Sequence, residues 1–80
     1  MQLTIIPRTD GFTQVALSGR LDAMGVQSVG TRFQNATAAL GKPTIIDLTD
    51  LEFVASLGLG LLLSSARALH KKGARAVIVN

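Results

Sequence analysis

One serine stands directly before a glycine-bearing helix start, in the segment from Val54 to Gly60. Backbone N–H groups without partners and the positive end of the helix dipole meet at such a position, so it favours negative charge. A phosphate on the Ser56 hydroxyl would add close to two negative charges there. The second interpretation is structural, with Ser56 acting as the N-cap of the helix. The residues alone leave both interpretations open.

Nucleophilic catalysis by this serine lacks the other parts that it needs. The only histidine, His70, lies about four helical turns from Ser56, which is roughly 21 Å along a helix axis. Val54 occupies the position at which a nucleophile elbow requires glycine. The chain has no cysteine, which excludes a thiol nucleophile, a disulfide and a thiolate metal site. We therefore expect no enzyme activity.

Cofactor and metal chemistry also lack their residues. Gly58 and Gly60 are not followed by a third glycine at dinucleotide-binding spacing, and no Gly-Lys-Ser/Thr loop exists. Asp47, Asp50 and Glu52 have no evident fourth ligand and are interpreted as acids of a strand end and a loop. The sequence predicts no cofactor and no bound metal.

Charge is sparse, with 16% charged residues and a formal net charge of +3. One basic cluster stands out, formed by Arg67, His70, Lys71, Lys72 and Arg75. One interpretation is that these cations lie at the C-terminal end of a helix and complement its dipole. The other is a phosphate-binding surface, which would need more charge and interleaved aromatic residues. Only three Phe and no Trp or Tyr are present, so we expect no direct nucleic-acid binding.

Length and hydropathy predict one small domain over residues 1–80. At 48% apolar residues, the composition is far from that of a disordered chain. The longest apolar run, Leu57 to Leu63, is much shorter than a membrane span. No basic, apolar leader is visible at Met1 to Pro7, and we expect a cytoplasmic protein without membrane contact.

The first half of the chain predicts two strands and a helix. Alternating apolar residues before Pro7 and the stretch from Phe12 to Ser18 predict strands, with Asp10-Gly11 as the turn between them. The Gly19-Arg20-Leu21-Asp22 segment ends the second strand and offers Asp22 as a helix N-cap. An apolar stripe at helical spacing follows and runs to Gly41, formed by Val26, Val29, Phe33, Ala36 and Leu40.

The second half predicts a strand–helix–strand unit with a parallel, right-handed crossover. Its strands are Thr44 to Leu48 and Arg75 to Val79, and its helix runs from about Leu57 to Lys72, with Thr49 to Ser56 as a loop. At 100° per residue, the sheet-facing side of the helix would carry Leu59, Leu62, Leu63, Ala66 and Leu69. Leu57 and Leu61 would face outward, either as covered or scattered leucines or as a small docking surface.

Asp47 to Leu63 resembles the signature of the STAS domains of bacterial anti-sigma factor antagonists. In that family a strand and a short loop lead to Asp-Ser-Ser-Gly-Leu-Gly at a helix start, and the residues here run from Ala55 to Gly60. The segment from Gly19 to Asp22 is similar to the family's Gly-Glu-Leu-Asp turn. The resemblance implies an α/β fold, with two amphipathic helices on one face of a mixed sheet and the usual C-terminal part missing or shortened.

The resemblance further implies a partner-switching protein. In that family the unphosphorylated antagonist binds an anti-sigma factor that is also a serine kinase, which releases the sigma factor, and a serine phosphatase resets the cycle. Ser56 matches the phosphoacceptor. The implied partner-binding residues are Asp22, Ala55, Leu57, Gly58, Leu59 and Leu61. A monomer or weak dimer is expected.

Two positions depart from the family pattern, because Ala55 replaces the acidic residue and Leu57 replaces the second serine. A missing carboxylate changes the charge that a kinase would meet, whereas Leu57 enlarges the apolar spot. Small STAS proteins also serve as structural subunits of lipid-transport ATPase complexes, a role that does not need the Asp-Ser-Ser chemistry. This second function stays open beside the first.

Overall fold

The second strand organises the sheet, because it pairs with three others. The computed structural model describes residues 1–80. A mixed five-stranded sheet has the order β1-β2-β3-β5, and β4 also pairs with β2. Only β1 is antiparallel to its neighbour. The elements in chain order are β1 Gln2–Ile6, β2 Thr13–Leu21, α1 Ala23–Ala36, β3 Thr44–Asp47, β4 Leu51–Val54, α2 Ser56–Lys71 and β5 Ala76–Val79.

The predicted hairpin between the first two strands is confirmed. Gly11 has a φ of 86°, which its missing side chain allows without strain. Asp10 accepts a hydrogen bond from the Phe12 backbone N–H at 3.2 Å and pairs with the Arg8 guanidinium. These contacts, led by the hydrogen bond from Arg8, lower the pKa of Asp10 to about 2.

Both helices cover the same face of the sheet, as the sequence predicted. Val15, Leu17 and Ile46 of the sheet are fully or almost fully buried against Val29 and Phe33 of α1. Leu61 and Leu62 of α2 join the same cluster. Burying such side chains is worth about 1.5–3 kcal/mol each, so this shared core holds the helices against the sheet.

The strand prediction was wrong in two connected places. β2 does not stop at Ser18, since a bulge at Gly19, with φ of 95°, carries the strand on to Leu21. This extension gives the predicted loop a partner, and Leu51–Val54 forms β4 beside it. Four mostly exposed residues show no alternation of polar and apolar positions, which is why sequence periodicity missed the strand.

The first helix is shorter than its apolar stripe suggested. It ends at Ala36, and the Thr37 hydroxyl donates to the Phe33 carbonyl at 2.7 Å within the last turn. Leu40 lies beyond the helix in a turn and is exposed. Gly41 has a φ of 64° in that turn and is not the residue at which the helix ends.

Candidate functional site

The two helices begin side by side at the end of β2, and each does so through a glycine. A Cβ on Gly25 would lie 2.4 Å from the Arg20 carbonyl oxygen, and one on Gly58 would lie 2.4 Å from the Leu21 carbonyl oxygen. The backbone N–H of Ala55 also donates to that Leu21 oxygen at 3.0 Å. The end of β2 therefore fixes both helix starts with respect to each other.

The start of α1 is closed by its own side chain, as predicted. Asp22 is the N-cap, and its Oδ1 accepts from the Gly25 backbone N–H at 2.9 Å. This hydrogen bond, with the nearby charge of Arg20, lowers the pKa of Asp22. Arg20 Nε lies 3.7 Å from Asp22 Oδ2. The carboxylate thus occupies the position that an anion would otherwise take.

The start of α2 is open. Ala55 is the N-cap and has no side chain that could accept a hydrogen bond, so the first backbone N–H groups receive no side-chain partner. Ser56 is the first residue of the helix and is exposed. The structural interpretation of Ser56 as the N-cap was therefore wrong by one residue. Its hydroxyl is not used for capping, and no acidic residue lies in the first turn.

The predicted faces of α2 were wrong in part, although Leu62 and Leu69 are buried and Leu57 is exposed as expected. Leu61 is only 8% exposed and joins the core, whereas Leu59 is 51% exposed. The buried side carries Gly58, Leu61, Leu62, Ser65 and Leu69. Sequence reasoning followed the large apolar residues, but two of the five residues that face inward are small. Gly58 could have signalled this, because close approach of a helix to a backbone requires glycine.

This rotation of the helix decides which predicted partner-binding residues are accessible. Leu57 is 62% exposed, and Leu59 is exposed as well. Asp22 and Ala55 are partly exposed. Gly58 and Leu61 are buried, and the prediction that Leu61 faces outward is overturned. The structure brings Asp22, Ala55, Ser56 and Leu57 to the same end of the sheet, where β2 ends.

Neighbouring residues that the sequence did not single out extend this end of the molecule. The Arg20 guanidinium lies over the Phe53 ring, 4.5 Å from its centroid, in a cation–π contact. Phe53 pairs with Arg20 across β4 and β2 and is exposed, as is Met24 in the first turn of α1. No sequence pattern links Arg20 to Phe53, since the β2–β4 pairing that joins them was not predicted.

A shallow apolar groove of about 430 Å³ lies beside Ser56, between α2 and the sheet. Leu48, Val54, Leu59, Leu63 and Ile78 line it together with Ala55, Ser56 and Leu62. Ser56 is thus the one polar residue among those that line an otherwise apolar groove. A charge placed on it would change the character of that surface.

The remaining titratable groups do not gather around Ser56. His70 lies at the other end of α2, roughly 21 Å along the axis at 1.5 Å per residue. Asp47 has a lowered pKa because its Oδ1 accepts hydrogen bonds from the Thr49 hydroxyl and backbone N–H. No three His, Asp or Glu residues lie close enough to hold a metal ion. Neither helix combines the length and hydropathy that crossing a membrane requires.

Comparisons with known proteins agree with this fold. A family model described as "Mlab, STAS domain" matches residues 6–80. No curated protein matches the sequence. Because the family model covers most of the chain, the chain belongs to the STAS domain family.

Solved structures place it among the STAS folds of anti-sigma factor antagonists. The antagonist SpoIIAA in its unphosphorylated form is 25% identical, with a TM-score of 0.78 over 99% of this chain and 73% of that one. The Bacillus cell fate determinant SpoIIAA in its phosphorylated form is also 25% identical, with a TM-score of 0.77 over 99% of this chain and 72% of that one. An antagonist from Mycobacterium paratuberculosis is 28% identical, with a TM-score of 0.74 over 96% and 68%.

Proposed function

We propose that this protein is an anti-sigma factor antagonist controlled by phosphorylation of Ser56. Unmodified, it binds an anti-sigma factor that is also a serine kinase, and the sigma factor is released. The kinase transfers the γ-phosphoryl group of ATP to Ser56 Oγ, ADP leaves, and a base on the kinase takes the hydroxyl proton. A serine phosphatase hydrolyses the phosphoserine and restores the active form. The protein itself has no enzyme activity in this scheme.

The observation that carries the proposal is the open start of α2. Ser56 is exposed, its hydroxyl is not used for capping, and the first N–H groups of the helix have no side-chain acceptor. A phosphate on Ser56 would meet those N–H groups and the positive end of the dipole, so the fold tolerates the modified form. Similar solved structures include one antagonist in both its unphosphorylated and its phosphorylated form.

Partner binding is attributed to the apolar surface beside the serine. Leu57 and Leu59 are exposed there, and Ala55 and Asp22 lie at the same end of the sheet. Burial of such apolar side chains against a partner stabilises a complex. A doubly charged phosphate among them would oppose that burial, because it would lose its hydration. Phosphorylation would therefore weaken the complex without any change of fold.

Incubation with the cognate kinase and ATP, followed by intact-mass measurement, tests the acceptor. We expect one phosphate on the wild type and none on Ser56→Ala. Ser64→Ala is the matched control, because Ser64 is exposed on the same helix. We expect the Ser64→Ala variant to carry one phosphate, as the wild type does. An unmodified wild type, or phosphate that persists in Ser56→Ala, would contradict the assignment.

A second function keeps the fold and removes the switch, namely a STAS subunit of a lipid-transport ATPase complex. The observation that favours it is the Ala55–Leu57 pair, which supplies neither the carboxylate nor the second hydroxyl of the Asp-Ser-Ser pattern. Titration against a purified transporter ATPase and against the purified anti-sigma factor kinase separates the two functions. Binding to the transporter ATPase alone, with equal affinity for wild type and Ser56→Asp, would favour the second.

A further inference from the structure

Two arginines, Arg8 and Arg20, are each followed two residues later by an aspartate, but only Arg8 is hydrogen-bonded to its aspartate. Arg8 Nε donates to Asp10 at 3.1 Å, and Arg8 Nη1 donates to Gln14 at 2.6 Å. Arg20 Nε lies 3.7 Å from Asp22 Oδ2, which is beyond hydrogen-bond range, and no other carboxylate pairs with Arg20. Asp22 instead uses its Oδ1 to cap α1. The Arg20 guanidinium therefore has N–H donors free for a group outside the chain.

The Arg20 side chain is nevertheless held in place. Its guanidinium lies over the Phe53 ring, 4.5 Å from the centroid, and the two residues pair across β2 and β4. This cation–π contact uses the ring face and takes up none of the N–H donors. The Arg20 side chain is also 63% exposed, so a partner can reach those donors. A planar guanidinium of this kind suits a carboxylate, which it binds through two parallel hydrogen bonds.

Exposed apolar side chains extend from the same end of the sheet, one from each helix start. Met24 is 79% exposed and Leu57 is 62% exposed, the two highest values among the large apolar residues. Each is the second residue of its helix and directly precedes the glycine that packs on the end of β2, Gly25 or Gly58. Met24 also lines one hollow together with Arg20. The partner surface proposed above uses Leu57 but neither Met24 nor Arg20.

We infer that the partner covers both helix starts and presents an aspartate or glutamate carboxylate to Arg20, beside apolar groups that pack on Met24 and Leu57. The inference rests on the proposed function, because the partner is the anti-sigma factor kinase. It adds the α1 side of the surface and an acidic group on the kinase. Asp22 and Glu52 share a hollow with Arg20, but neither is hydrogen-bonded to it. An acid on the partner would therefore supply the paired contact that the chain itself does not.

Titration calorimetry of the purified kinase with the 80-residue chain tests the charged contact. We expect Arg20→Glu to raise the dissociation constant at least about tenfold, because it places two carboxylates together. Arg32→Glu makes the same change of charge at an exposed position of α1 and should bind like the wild type. Phe53→Leu keeps an apolar side chain but removes the ring that holds Arg20, and we expect a rise of about twofold to fivefold.

Charge reversal on the kinase tests the kind of group that Arg20 meets. Each exposed aspartate and glutamate of the kinase would be replaced by lysine, and the affinity of each kinase variant for Arg20→Glu and for the wild type measured. We expect one replacement to restore binding of Arg20→Glu and to weaken binding of the wild type, because the ion pair forms again with its charges exchanged. If no replacement restores binding, Arg20 does not meet a carboxylate.

Met24→Ala tests the extension of the surface onto α1. We expect it to raise the dissociation constant about fivefold, because it removes an apolar contact of the interface. Leu40→Ala is the control, since Leu40 is 52% exposed in the turn after α1 and lies outside the proposed surface. It should bind like the wild type. Far-ultraviolet circular dichroism and thermal denaturation would show that every variant folds.

Intact-mass measurement after incubation with kinase and ATP separates this inference from the proposed function. Suppose that the wild type binds the kinase and is phosphorylated on Ser56, but Arg20→Glu and Met24→Ala bind as tightly. That result would overturn the inference and leave the proposed function standing. It is also the result expected if Arg20 served only the phosphate of Ser56, since the unmodified chain carries none. A wild type that does not bind the kinase would overturn both.

Discussion

The first turns of the two helices pack on β2 in the same way, but only one of them has a side-chain cap. Each packs a glycine against a carbonyl oxygen at the end of β2, Gly25 on Arg20 and Gly58 on Leu21. At α1 the Asp22 carboxylate then accepts a backbone N–H, whereas at α2 Ala55 offers no acceptor. The first start carries its own negative charge, and the second leaves that position free beside an exposed serine. The same strand end thus supports one helix start that a side chain caps and one that no side chain caps.

The largest expected effect tests the orientation of α2, on which the openness of its start depends. Leu61→Ala should lower the free energy of unfolding by about 2–5 kcal/mol, because it leaves a cavity in the core. Leu57→Ala, at an exposed position of the same helix, should change it by less than about 0.5 kcal/mol. Urea denaturation measures both. Similar losses for the two variants would contradict the described burial.

The next largest expected effect is a difference in stability between alanine substitutions at two glycines of α2. Gly58→Ala should cost about 1–3 kcal/mol, since its Cβ would meet the Leu21 carbonyl and side chain. Gly60 faces open space, so Gly60→Ala should instead stabilise by about 0.5–1 kcal/mol through helix propensity. Thermal denaturation of the two variants gives opposite shifts of Tm. A stabilising Gly58→Ala would show that the helix start does not lie against β2.

A smaller effect follows from giving α2 the cap that α1 has. Ala55→Asp should stabilise by about 1 kcal/mol, because its carboxylate would accept an N–H of the first turn. Asp22→Ala should destabilise the chain, and Asp22→Asn should largely preserve stability, since the amide oxygen still accepts. Chemical denaturation measures the three variants. No gain from Ala55→Asp would mean that the N–H groups of α2 are already satisfied.

The smallest effect is the acid dependence of stability. The pKa values of Asp10, Asp22 and Asp47 are lowered in the folded chain from the ordinary value of 3.8. Their ionised carboxylates therefore stabilise the folded state at pH values above 3.8. This stabilisation is lost as the pH falls through the lowered values, which reach about 2 for Asp10. Asp22→Ala should flatten this part of the pH–stability curve, and Ala55→Ser, which adds no carboxyl, should not. A curve unchanged by Asp22→Ala would contradict the capping role.

Sequence reasoning reached the family, the two-helix mixed sheet, the hairpin at Asp10-Gly11 and the Asp22 cap. The family and the sheet architecture rest on the resemblance to the STAS signature, and the hairpin and the cap rest on local signals, a turn dipeptide and a capping residue. What it missed depends on contacts between distant segments. β4 exists because the bulge at Gly19 extends β2, and the inward face of α2 was set by Gly58 against Leu21. Arg20 and Phe53 meet only through that strand pairing.

The central claim is that negative charge at Ser56, and not elsewhere on α2, releases the partner. Titration calorimetry of the purified kinase with wild type, Ser56→Asp and Ser64→Asp tests it directly, because both variants add one charge to an exposed serine of the same helix. We expect Ser56→Asp to weaken binding at least about tenfold, or 1.4 kcal/mol, with Ser64→Asp close to wild type. Equal affinities for all three, or equal losses at both positions, would contradict the account.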